Sequence, residues 1–185
     1  GWSRGLAQAA PEGWSYVGRV EVERALWEEL ELEYLSLAHY VPREDRELMQ
    51  FLVRLAERSA ILSALRDLKA GRSAGGGEGR APAILQRSRV DAAALARCAG
   101  YDQLLAAVKG SIYYPALLHL RPRPGEALPD YTIAECLLRT AYFSHMYRIA
   151  QRQYAGAVQK VLLRSMGEQV DRLNILRLLR PKTYF

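Results

Sequence analysis

An all-α fold is expected, built of repeated helical-hairpin modules with long antiparallel helices and short connecting helices. Three observations predict it. Leu, Ala, Arg and Glu dominate while β-branched residues are sparse, a balance that favours helix. Apolar residues recur along the chain at the i, i+3, i+4, i+7 spacing of a buried helical face. One helix end is also written twice, as AERSAILSALRDLKAG from Ala56 and GEQVDRLNILRLLRPKTYF from Gly167. Aligning Ile61 with Ile175 gives an offset of 114 residues, which also pairs Glu57 with Asp171, Leu62 with Leu176, Leu65 with Leu179 and Arg66 with Arg180.

Residues 1–18, with Pro11, Gly13 and Gly18, read as an irregular lead-in whose Trp2, Trp14 and Tyr16 dock on something. From Arg19 to about His39 the stripe Val22, Leu26, Leu30, Leu37 predicts a helix. Its early Glu21, Glu23, Glu28 and Glu29 suit the positive end of the helix dipole. Pro42 interrupts the chain, and Glu44 and Asp45 open a second helix. That helix carries the stripe Leu48, Phe51, Leu52, Leu55, Ser59, Leu62, Leu65. A connection this short predicts that the two helices pack antiparallel as an αα-hairpin over residues 19–71.

Residues 72–87 hold Gly75, Gly76, Gly77, Gly79 and Pro82 without apolar periodicity, and read as a linker and domain boundary. No strand precedes this glycine run and no Gly-Lys-Ser/Thr follows it, which argues against a phosphate-binding loop.

A second helical module is expected over residues 88–185. Ser88 to Asp91 resembles a capping box for a helix from Val90 to about Ala99, stopped by Gly100. Asp102 to Lys109 forms another short helix, stopped by Gly110. Tyr113, Tyr114 and Pro115 then lead into Leu117, Leu118 and Leu120, before the break at Pro122, Pro124 and Gly125. Asp130 caps a longer helix with the face Ile133, Leu137, Ala141, Met146, Ile149. After a turn near Gln151 to Gly156, the last helix carries Val158, Val161, Leu162, Ser165, Met166, Val170, Leu173 and Leu176. Pro181 is expected to end it.

The 185 residues carry a net charge of +6, unevenly spread. Arg19 to Gly71 holds eight basic and eleven acidic side chains, whereas Asp130 to Phe185 holds nine basic and four acidic. A basic end suits a nucleic acid, an acidic protein or anionic lipid, and equally a solvated face. Cys98 and Cys136 stand alone and read as small buried hydrophobes in a reducing compartment. Apolar runs are short and broken by charge, so no span is expected. The opening GWSRGLAQ lacks a signal-peptide layout; it also lacks a starting Met, as expected where the true N-terminus lies upstream.

Catalytic, cofactor and metal residues are not expected. His39, His119 and His145 are scattered, and none has a second ligand at helical spacing. No GxSxG, HExxH or dinucleotide fingerprint occurs, and neither cysteine has an adjacent His to activate it. Glu168 and Asp171 share a helix face, which suits surface charge or a helix-to-helix hydrogen bond. Arg172, Arg177, Arg180 and Lys182 lie near Asn174 and Tyr184, a mixture that can bind phosphates and bases. No helix-turn-helix accompanies them, and Tyr142, Phe143 and Tyr147 have the spacing of packing residues. A free-standing basic helical module, binding nucleic acid or serving as a scaffold, is therefore the alternative reading.

The pattern Asp171, Asn174, Ile175, Leu179, Arg180 resembles the signature of the C (or d) subunit of V-type and A-type rotary ATPases. The run from Ala92 to Leu118, with its Tyr-Tyr-Pro and leucines, resembles a helical segment of that family. Tyr40-Val41-Pro42 with Glu44 and Asp45 resembles the turn opening its long paired helices. The likeness covers most of Arg19 to Lys182. It departs at Ala60, which stands where Asn174 does, and in having one complete module and one bare hairpin where family members carry three.

The resemblance implies a non-catalytic central-stalk adaptor. Such a subunit seats the central-axle subunits on the membrane proteolipid rotor ring of a complex moving protons or sodium ions. It is cytoplasmic and peripheral to the membrane, with no cofactor, nucleic acid or small-molecule substrate. The motif residues Glu57, Ile61, Arg66, Asp171, Asn174, Ile175 and Arg180 are structural first and partner-facing second under this reading. An Asn embedded in a helix fixes how neighbouring helices register.

Overall fold

The computed structural model describes residues 19–71 and 83–184, and among these every regular element is helical. α1 (Arg19–Leu37) is followed by a 3-10 turn at Arg43–Asp45 and one helical turn at Arg46–Met49. α2 (Phe51–Lys69) then runs without interruption. Past a 3-10 turn at Ala83–Arg87 come three short helices, α3 (Ala92–Arg97), α4 (Tyr101–Ala107) and α5 (Tyr114–His119). Two long ones complete the chain, α6 (Tyr131–Gln153) and α7 (Gly156–Tyr184).

Local chemistry sets these boundaries. Asp91 begins α3 by accepting the Ala94 N–H at 2.9 Å. Asp130 begins α6 in the same way, taking the N–H groups of Thr132 at 2.8 Å and Ile133 at 3.3 Å. Such caps satisfy amides that the first helical turn leaves without partners. Between α6 and α7 the chain turns within Tyr154 and Ala155. Gly156, at φ +60°, adopts the left-handed conformation this reversal needs. Gln159 braces the break by donating to the Tyr154 carbonyl at 2.8 Å.

One hydrophobic cluster organises the molecule. α2 lies along α6, α6 along α7, and α3, α4 and α5 fill the space beside α2 and α6. Ile61, Leu104, Tyr113, Leu117 and Leu138 are wholly buried in this cluster. Burying each such side chain contributes about 1.5–3 kcal/mol. The cluster draws on residues from both sides of segment 72–87.

The structure departs from the periodicity in several places. α1 and α2 do not pack along their lengths: their shared cluster is at Tyr34, Leu35, Phe51 and Val53, near the connection. There the Tyr34 and Phe51 rings meet edge to face at 6.2 Å, and the Tyr34 hydroxyl donates to the Met49 carbonyl. α2 spends its apolar face on α6 instead, because Ile61, Leu62 and Leu65 find a larger core there. The linker assignment reaches too far: Ile84 and Leu85 are buried, while residues 72–82 lie outside the described residues, as does the lead-in of 1–18.

Asp91, not Ser88, caps α3, which spans six residues; Gly100 leads into α4 and does not close α3. The buried face of α6 is Ala134, Leu138, Tyr142, Met146 and Ile149. Expected Ile133 is 53% exposed. The register 133, 137, 141 is one residue from 134, 138, 142, and a single step turns a helix by about 100°. α7 continues past Pro181 to Tyr184, the proline removing one backbone donor without ending the helix.

Candidate functional site

α2 places Val53, Glu57 and Ile61 on one face, four residues apart, and all three are wholly buried. Glu57 is the only acidic side chain buried among the described residues. Its Oε1 accepts from Arg54 Nη1 at 2.8 Å, from the Ser88 hydroxyl at 2.8 Å and from the Arg89 N–H at 3.4 Å. Ser88 Oγ in turn accepts the Val90 N–H at 2.8 Å. Tyr113 closes the group by donating its hydroxyl to the Arg54 carbonyl at 2.6 Å.

This cluster fastens the segment at 88–90, and through it α3, onto the middle of α2. Desolvating two charges is costly; the three bonds converging on Oε1 offset that cost in part, while Glu57 Oε2 and Arg54 Nε are buried without a hydrogen-bond partner. Burial raises the Tyr113 hydroxyl pKa, and the nearby Glu57 charge adds to the effect. The Glu57 side chain is wholly enclosed, and its contacts tie the two segments together.

Arg66, the third motif residue here, sits at the surface. It donates from Nη2 to the Tyr131 hydroxyl at 2.7 Å, with its guanidinium carbon 5.0 Å from that ring's centre. Arg58 stands similarly over Tyr142 at 5.9 Å. Two arginines of α2 thus clasp two tyrosines of α6, each a cation–π contact of about 0.5–1 kcal/mol when exposed.

The second copy has the opposite surroundings. Asp171, Asn174 and Ile175 lie exposed on α7, with Ile175 at 56%. Arg180 belongs to the same helix, and its side chain lies outside the described residues. Where the first copy has Arg54, the second has Glu168, which pairs along the surface with Arg164 at 2.9 Å. The structure therefore joins Glu57 and Ile61 in the core, sets Arg66 at the rim, and leaves Asp171, Asn174 and Ile175 open.

Arg54, Ser88 and Tyr113, which complete the Glu57 cluster, went unrecognised in the sequence. Arg54 alone had a signal there, at i−3 from Glu57; the contacts of Ser88 and Tyr113 span 31 and 59 residues.

Elsewhere, His145 has its pKa lowered by burial and then by Arg54. Burial pushes the Cys98 thiol up, away from a reactive thiolate. Among the described residues no group of three or more His, Cys, Asp or Glu is placed to hold a metal ion. No described helix is long and apolar enough to cross a membrane. An open cavity of about 350 Å³ is lined by Tyr101, Asp102 and Arg121 to Pro124. Its Asp102–Arg121 ion pair spans 2.9 Å, and none of the motif residues lines it.

The model of the family described as ATP synthase (C/AC39) subunit matches residues 9–185. No curated protein and no solved structure matches the chain.

Proposed function

Because the chain belongs to the ATP synthase (C/AC39) subunit family, we propose that it is a non-catalytic central-stalk adaptor of a V/A-type rotary ATPase. It couples the axle subunits to the membrane proteolipid ring, so that rotation of one drives the other during proton or sodium transport. The family match over nearly the whole chain is the observation that carries this reading.

The physical features support it. A torque transmitter needs stiff elements joined to each other, and α2 and α6 are long helices packed side by side around one core. The Arg–Tyr clasps resist sliding between them, and the buried Glu57 cluster holds segment 88–90 to α2, since buried polar groups that leave their partners incur a large penalty. The motif residues serve this role structurally, with the exposed Asp171 and Asn174 available to a partner.

Affinity purification of the tagged chain tests the proposal. Co-purification with an axle subunit and a proteolipid ring, persisting at moderate salt, is the expected result. Nucleic-acid binding that falls steeply between about 50 and 200 mM salt, with no ATPase subunit recovered, overturns it in favour of a basic nucleic-acid-binding helix module.

A further inference from the structure

α7 differs from α2 and α6 in how little of it is enclosed. Those two helices bury side chains along their length. Among the described side chains of α7, from 156 to 175, none is buried. Leu162, Leu163, Met166, Val170 and Leu173 form a half-buried stripe, α6 is the helix it lies along, and Met166 reaches the main core cluster. A side chain left half in water contributes only part of the stabilisation of a buried one. Elements with few enclosed apolar contacts open before the rest of a fold.

The connection between α6 and α7 divides into a fixed side and a free side. On the fixed side, the Tyr154 hydroxyl donates to Asp45 Oδ1 at 2.6 Å, and the Gln153 amide donates to Glu47 Oε2. These bonds fasten the end of α6 to the connection that precedes α2. The free side begins two residues later at Gly156, whose φ of +60° is costly for any residue with a Cβ. No atom lies within 4 Å of where a Cβ would stand there, so it is the turn's conformation, not close packing, that calls for glycine. Across this turn one side chain of α7 reaches back. Gln159 Nε2 lies 2.8 Å from the Tyr154 carbonyl, 3.2 Å from that of Gln151 and 3.4 Å from that of Ala150. The last turn of a helix leaves such carbonyls without amide partners, and Gln159 supplies one.

We propose that α7 is a hinged arm, swinging away from α6 about residues 154–156 with the Gln159 amide as its latch. The two bonds to Asp45 and Glu47 keep the end of α6 in place while α7 moves. The exposed Asp171 and Asn174 ride on α7, so their placement relative to α2 and α6 is set at this turn. The inference rests on the contacts of α7 alone and stands independently of the adaptor reading.

Double electron–electron resonance on the full chain tests the hinge. Cys98→Ala and Cys136→Ala clear the background, and spin labels are placed at Ser63→Cys on α2 and Gln169→Cys on α7, both exposed positions. With the native turn a short distance dominates. Gln159→Ala, which removes the latch, raises the population at longer distance about three- to tenfold, the worth of about one hydrogen bond. Gly156→Ala acts in the same direction, since alanine disfavours the left-handed turn. A second label pair, Ser63→Cys with the exposed Ser144→Cys on α6, keeps one distance in every variant. A distribution between 63 and 169 that Gln159→Ala leaves unmoved overturns the proposal. A longer component shared by both label pairs overturns it equally, because the whole fold has then loosened.

Discussion

Ser88 and Glu57, 31 positions apart in sequence, are joined by a hydroxyl-to-carboxylate hydrogen bond of 2.8 Å at a wholly buried glutamate. The bond binds the start of the second half of the chain to the middle of α2. Stability is therefore expected to depend on this pair more than on any surface ion pair.

Glu57→Ala leaves Arg54 buried without its counter-charge, and such a change costs about 3–5 kcal/mol. Urea denaturation should show a lower midpoint with an unchanged slope. The double variant Arg54→Met/Glu57→Leu recovers most of the loss, because apolar residues of similar size replace buried ion pairs at little cost. Equal destabilisation of single and double variants would show that the charges themselves hold the segment.

The two motif isoleucines separate in the same assay. Ile61→Ala opens a cavity in the core and costs about 2–5 kcal/mol. Ile175→Ala, at a position 56% exposed, stays within about 0.5 kcal/mol of the wild type. Matching losses at both positions would mean that α7 is covered in the isolated chain.

Asp130 links α6 to acid stability. The Thr132 N–H, followed by the Ile133 N–H, holds its carboxyl below the ordinary 3.8. A depressed folded pKa contributes stability that is present above the unfolded value and is lost as pH falls through the folded one. Thermal melts should therefore drop as pH falls below 3.8. Asp130→Asn, which caps without titrating, flattens that part of the profile; an unchanged profile would assign the acid loss to other carboxyls.

Tyr101 contributes on the alkaline side. Its hydroxyl is buried and donates to the Leu117 carbonyl at 2.8 Å, and burial raises its pKa to about 12. A raised folded pKa gives stability that is complete below the unfolded value of 10.0 and is lost as pH rises toward about 12. Tyr101→Phe should make the melting temperature less sensitive over that window, and should remove a late step from the ultraviolet titration of tyrosinate. A titration with no change in its late portion would place Tyr101 in contact with solvent.

Helix type and position follow from local terms. The apolar spacing, the Asp130 cap and the breaks at Pro42, Gly110 and Gly125 depend on neighbours within a turn or two, so α1, α2, α4, α6 and α7 lie close to where the pattern puts them. Faces proved less legible. Adjacent residues on α6 are comparably apolar, and only the tyrosine and leucines of its partners choose 134, 138, 142 over 133, 137, 141. The repeated motif was also readable, but identical patterns carry no record of burial. Glu57 and Asp171 look alike in sequence and differ completely in exposure.

The sequence by itself determined an all-α chain, its repeat, its charge asymmetry and the family to which the motif points. All of these are sums over short windows or matches between them. Tertiary structure alone decided that α2 packs on α6 and not on α1, and that Glu57 is enclosed by Arg54 and Ser88. It also decided that Glu57 and Ile61 are core while Asp171, Asn174 and Ile175 are surface. Each is a choice between competing partners distant in sequence, settled by which pairing buries more apolar surface.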